Sequence, residues 1–153
     1  HEPSRRQRQM CIRDRHKLEI GARTAEQIKI SVGSAMRTRS KNILVKGRDL
    51  VTGIPKTKDI RTDEIRQALK DPVKRILNVI KDALEETPAE LSSDIIDRGI
   101  VLAGGGSQLR GLDQVLREKT NVPVNVADEP HLAIVKGCGA VIEDLEKYKH
   151  VLL

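Results

Sequence analysis

Residues 100–126 read IVLAGGGSQLRGLDQVLREKTNVPVNV, and this stretch decides the fold. The apolar run from Gly99 to Ala103 suits a strand covered on both faces. Three glycines follow at once. A helical pattern then spans about 111–119, with Leu112, Val115 and Leu116 apolar. Val122 to Val126 reads as a second short strand. Strand, Gly-rich loop, helix and strand make a βαβ unit, which implies parallel pairing. Asp128 and Pro130 mark the start of a further helix that runs to about Tyr148. Gly137 and Gly139 lie inside it, each costing about 1 kcal/mol relative to Ala, so close packing of this helix against the sheet is expected.

Upstream, Thr24-Ala25-Glu26-Gln27 has the form of a capping box and predicts a helix over 24–34. Arg37 to Lys41 is polar and basic and suits a loop. Ile43 to Val45, Leu50-Val51 and Ile54 are broken by Gly47-Arg48-Asp49 and by Gly53 and Pro55, which predicts two or three short strands. Thr62-Asp63-Glu64 starts another helix with acids at its positive end. Val73, Ile76, Leu77, Ile80 and Leu84 keep the apolar rhythm of one helix face. Thr87-Pro88-Ala89-Glu90 is a second capping box, with Pro at the first helical position, opening a short helix toward Ser92–Ile96.

The composition excludes several classes. Tyr148 is the only aromatic residue among 153, so a base-stacking platform for single-stranded nucleic acid is ruled out and the core must be aliphatic. No apolar run approaches the roughly 18 residues of a membrane span. Cys11 and Cys138 are too few and too far apart for a disulfide framework, and point to a reducing compartment. His1, His16, His131 and His150 form no zinc pattern. The net charge of +6 is uneven: residues 1–15 hold five Arg against Glu2 and Asp14, half of the excess. Such an arm fits nucleic acid or acidic lipid. It shows no helical or strand period, however, and is read as an extraneous leader outside the fold.

A strand that ends in three glycines lets a ligand approach the main chain, and phosphate or nucleoside binding is the functional reading. A tight turn needing positive φ is the structural one. Two phosphate motifs fail. Gly106 and Gly111 have Walker A spacing, but Leu112-Asp113 follows where Lys-Ser/Thr is required. Gly104 and Gly106 fit the dinucleotide fingerprint, but Leu109 stands at its third glycine, which disfavours an oxidoreductase.

Residues 94–145, with the segments 20–29, 45–57, 87–99 and the helix after Thr62, resemble the MreB/Mbl family of bacterial actin-like, rod-shape-determining proteins. The resemblance covers 16–147 with its motifs in family order. It implies an α/β fold, the C-terminal half of the actin-like ATPase fold. Residues 16–36 and 87–150 would form part of the nucleotide-cradling subdomain, and 37–86 a small inserted α+β subdomain. By the same resemblance Gly104, Gly105, Gly106, Ser107 and Gln108 contact ATP or ADP. Ser107-Gln108 stands where the family often has Ala-Leu, a change that backbone contacts survive. Glu26, Gln27, Ile28 and Lys29 match a segment that meets the ribose and purine, whereas on spacing alone Glu26 and Lys29 read as a surface ion pair worth roughly 0.5 kcal/mol. The family usually has an acid in place of Ala22.

The resemblance further implies that Mg²⁺ is held by residues outside this chain, as are the two phosphate hairpins and the catalytic acids. The complete relative would be an ATPase, and this chain by itself would be inactive. Expected partners are further copies in a filament and membrane proteins of cell-wall elongation, with no nucleic acid, and with the membrane reached only through parts missing here. The expected location is cytoplasmic, at the inner face of the membrane. The alternatives are another actin-like ATPase (a chaperone or sugar-kinase relative), which the 45–57 hairpin argues against, and a non-catalytic basic module binding nucleic acid.

Overall fold

The computed structural model describes residues 12–149. Among the described residues five strands are present: β1 (Leu18–Glu19), β2 (Asn42–Asp49), β3 (Pro55–Arg61), β4 (Ile100–Leu102) and β5 (Val124–Val126). Among the described residues the helices are α1 (Ala22–Val32), α2 (Thr62–Glu85), α3 (Ala89–Arg98), α4 (Leu112–Thr120) and α5 (Ala133–Glu143), and residues 12–16 are helical as well. A 3₁₀ turn covers Gly105–Gln108. The first three strands form an antiparallel sheet in the order β1-β2-β3, and β4 pairs with β5 in parallel, Ile100 opposite Val124. The expected βαβ unit is therefore present, with α4 as its crossover.

Two aliphatic cores result. The first gathers Leu18, Ile20, Ala25, Ile28, Val45, Ile60, Ile65 and Leu69. The second gathers Val73, Leu112, Leu116 and Val124. Helix α1 thus shares a core with the hairpin and the start of α2. The first core therefore draws residues from both sides of residue 36. Ile12 also belongs to the first core, at 3% exposure, and Arg15 donates to Gln67 Oε1 at 3.0 Å. Residues 12–16 are helical and dock on this core through Ile12, a contact too short in sequence to show a period. Residues 1–11, including Cys11, lie outside the described residues.

In place of two or three short strands there is one long hairpin, registered from Asn42 opposite Arg61 to Arg48 opposite Pro55. Gly47 is not a turn. It sits inside β2, where an added Cβ would lie 2.5 Å from the Glu19 carbonyl, and only its bare backbone lets β1 pair alongside. The turn is further on. Asp49 Oδ1 accepts the amides of Val51 and Thr52 at 2.8 and 3.3 Å, and its Oδ2 accepts Lys56 Nζ at 2.7 Å. Gly53 supplies the positive φ of 74°.

Neither capping box forms. Helix α1 starts two residues early, with Gly21 as N-cap and Thr24 inside the helix, a start that turns both Ala25 and Ile28 into the core. At α3 the N-cap is Pro88, and Thr87 instead donates its hydroxyl to the Ala83 carbonyl at 2.7 Å, closing the end of α2. Helix α2 does start with Asp63 and Glu64 in its first turn, and Glu64 receives the Arg61 amide and a 2.7 Å contact from His16 Nε2. Burial works to raise the Glu64 carboxyl, but the His16 and Arg61 hydrogen bonds hold it below its usual range.

Coverage of the second sheet is one-sided. Val124 is fully buried under α4, whereas Val101 is 65% exposed, so β4 is not covered on both faces among the described residues. Helix α5 ends at Glu143 rather than Tyr148 and has no buried residue. Its Gly137 and Gly139 face open space, so the expected packing against the sheet is not made by the described residues.

Replacing Leu116 by Ala, which empties the centre of the second core, should cost about 3 kcal/mol, read as a lowered urea midpoint. Asp49 supports a pH prediction. Lys56, then the Val51 amide, lower its carboxyl from 3.8 to about 2. Because the folded value is the lower one, the stabilisation is complete above pH 3.8 and is lost as pH falls toward 2. Asp49→Asn should flatten that acid limb, measured by denaturation at stepped pH.

Candidate functional site

The glycine loop is built by β4 and its exit. Gly104 takes φ 82°, a conformation that favours glycine, and its N–H donates to the Pro130 carbonyl at 2.6 Å. The following turn is locked by Ser107, which is buried: its hydroxyl donates to the Gly104 carbonyl at 2.7 Å and its amide to the same oxygen at 3.2 Å. Ser107 therefore shapes the loop with both of its donors. Gly105 and Gly106 are exposed, and a Cβ at either would meet nothing within 4 Å. Their amides open the 3₁₀ turn, where no intrahelical acceptor exists. Gln108 is exposed beside them. This loop thus presents bare main chain, with donors for an anion, to open space.

Helix α1 supplies a second group. Glu26 Oε1 accepts Lys29 Nζ at 2.5 Å, one turn apart, with both side chains about a quarter to a third exposed. Ala22, Arg23, Glu26 and Gln27 line an open depression with about 630 Å³ of empty space, continuous with solvent. A carboxylate, an amide and a cation thus border one concavity, a set that can accept from hydroxyls and donate to ring nitrogens. Ile28 points the other way, into the first core at 8% exposure, and anchors the helix.

What joins the two groups is a short junction that sequence reasoning missed. Ser34 and Arg110 form a parallel β-bridge, and the Ala35 amide donates to the Arg110 carbonyl at 2.9 Å. Gly111, at φ 71°, makes room for Met36, whose Cγ would lie 2.7 Å from an added Cβ. Leu109 packs against both cores. The segment that ends α1 is therefore tied to the segment that ends the glycine loop. The one available signal was Leu109 itself, an apolar residue where the dinucleotide fingerprint wants glycine.

Among the described residues no group of three or more His, Cys, Asp or Glu is placed to hold a metal, and no helix is long and apolar enough to cross a membrane. Cys138 is exposed and unpaired with any other cysteine.

The chain matches the MreB/Mbl protein family over residues 7–150. It is 44% identical over 137 residues to the cell shape-determining protein Mbl of Bacillus cereus, covering 89% of this chain and 41% of that protein. Against the cell shape-determining protein MreB of Escherichia coli it is 42% identical over 130 residues, covering 84% and 38%. The crystal structure of MreB5 of Spiroplasma citri bound to ADP superposes with a TM-score of 0.88 at 28% identity, covering 96% of this chain and 45% of that one. The chain spans about two-fifths of the length of the curated relatives it matches. Its two cores and parallel βαβ unit are part of an actin-like fold, and the chain belongs to the MreB/Mbl family.

Proposed function

We propose that this chain is one wall of the nucleotide cleft of an ATP-binding, actin-like protein that directs rod shape. Gly104, Gly105 and Gly106, with the amides around Gln108, form the surface against which phosphate and the adenosine end lie. Glu26, Gln27 and Lys29 face the ribose and purine, while Ile28 fixes their helix and Ser107 fixes the loop. The observation that carries this reading is the open space in front of Gly105 and Gly106, two glycines with negative φ and no neighbour that requires them. A turn alone would not need both. The ADP-bound state of MreB5 from Spiroplasma citri is consistent with a nucleotide as the missing ligand.

In the complete protein the remaining length supplies the opposite wall, with the groups that hold Mg²⁺ and position the attacking water. Phosphoryl transfer depends on such groups for charge neutralisation and in-line geometry. This chain's own contribution is binding and orientation: backbone donors toward an anion, and a carboxylate toward hydroxyls. Assembly into filaments beneath the cell membrane, with partners in lateral wall synthesis, is the wider role proposed for the whole molecule.

The 153-residue chain alone should bind ATP weakly or not at all, because one wall of the cleft cannot enclose the ligand. A sub-micromolar dissociation constant by calorimetry would show that no second wall is needed. In the complete protein, Gly105→Val should abolish nucleotide binding, since its side chain would fill space the ligand needs. Glu26→Ala should weaken binding by roughly tenfold, the worth of one hydrogen bond to a charged group. Unchanged affinity in both variants would return the loop to a structural turn and Glu26 to a surface pair.

A further inference from the structure

The polypeptide passes between the two cores at several places. Helix α2 runs through both, with Leu69 in the first core and Val73 in the second. Pro72 lies between them, inside the helix. Proline has no N–H, so the Ala68 carbonyl loses its helical donor at the point where the helix leaves one core for the other. The second passage follows α1. Gly33 closes that helix, its amide donating to Lys29 O at 2.8 Å, and an added Cβ would lie 2.3 Å from that carbonyl and 3.3 Å from Leu69 Cδ1. Ala35 then packs against the second core. The return passage is fastened at residue 41, where the Lys41 amide donates to Thr62 Oγ1 at 3.0 Å and the Thr62 amide to the Lys41 carbonyl at 2.9 Å.

Ser34 stands at the centre of this crossing and is 4% exposed. Its Oγ accepts the Met36 amide at 3.2 Å, and its proton can go to the Met36 carbonyl at 3.0 Å or the Arg110 carbonyl at 3.3 Å. With the Ala35 amide on the same Arg110 carbonyl, it forms a clasp between the two sides. The clasp is polar and small, and beside it Leu109 packs against both cores, so opening it costs the Leu109 contact on one side while the buried members of each core stay together.

We propose that Pro72 and Gly33 are the pivots of a hinge between the two cores, and that the Ser34–Arg110 clasp is its latch. Ser34 is then a positioning residue: it sets how far Glu26 and Lys29, on the first core, stand from Gly104–Gly106, on the second. That last consequence rests on the nucleotide reading above, whereas the hinge itself does not.

The test uses the complete protein without nucleotide, with Cys11, Cys138 and any other native cysteine replaced by Ser and spin labels at Val51→Cys and Glu118→Cys. These two sites are exposed, one on each side of the joint. Ser34→Ala should broaden the inter-label distance distribution roughly twofold, as a latch released from a hinge does. Pro72→Ala restores the helical donor and should narrow it. Hydrogen exchange at the Ala35 amide should quicken by roughly tenfold in Ser34→Ala, while the amides of Ile60 and Leu116 keep their rates. Unchanged widths in both variants would overturn the hinge, as would equal acceleration at Ala35, Ile60 and Leu116, which marks general loss of stability. If Ser34→Ala does not fold, Pro72→Ala decides alone: an unchanged width rejects the pivot. Nucleotide affinity of the same variants in the complete protein is read separately. Altered distances with unaltered affinity retain the hinge and remove only its role in binding.

Discussion

Helix α2 buries Ile65 and Leu69 in one core and Val73 in the other, and the rest of the molecule is arranged around that shared rod. At about 1.5 Å per residue its 24 residues extend roughly 36 Å, enough to carry two cores side by side. Each large apolar side chain it buries contributes about 2 kcal/mol, while the polar contacts at its start mainly set where it begins. The hairpin lies on its first half and the βαβ unit on its second. Both candidate ligand groups inherit their positions from it, Glu26 through the packing of α1 and the glycine loop through α4.

The two halves of the proposed site are built by different physics. On α1, periodicity does the work: Ala25 and Ile28 face inward, and Glu26 and Lys29 are thereby turned outward as a pair. At the loop, hydrogen bonding does it. Ser107 spends its amide and its hydroxyl on one carbonyl, so the turn is rigid while Gly105 and Gly106 stay clear. Rigid main chain with free donors is suited to holding an anion without reorganisation. A purely side-chain site would have to freeze long rotamers to do the same.

Much of this was legible in the sequence, and the exceptions share a cause. The parallel βαβ unit, the acidic start of α2 and the helical spacing of Glu26 and Lys29 depend on local pattern and were readable. Gly47 was misread as a turn because its need for no side chain comes from β1, where the Glu19 carbonyl, distant in sequence, would lie 2.5 Å from an added Cβ. Both capping boxes failed because burial, at Ala25 and Ile28 for α1, set the helix start, and because Thr87 found a better acceptor in the Ala83 carbonyl. Ile12 shows no period because a single docked side chain has none. The Ser34–Arg110 junction joins residues far apart in the chain, and only Leu109 hinted at it. The apolar strip of α5 was readable as buried, and among the described residues nothing covers it.

The glycines divide into two populations with different histories ahead of them. At Gly47, Gly99 and Gly111 a side chain would strike the protein's own atoms, so drift at these positions is closed by folding alone, whatever the molecule does. At Gly105 and Gly106 the fold raises no such barrier, and alanine is free to appear there in any lineage that has lost the ligand. Retention of glycine at these two places across diverging bacteria would therefore record a pressure exerted from outside the chain.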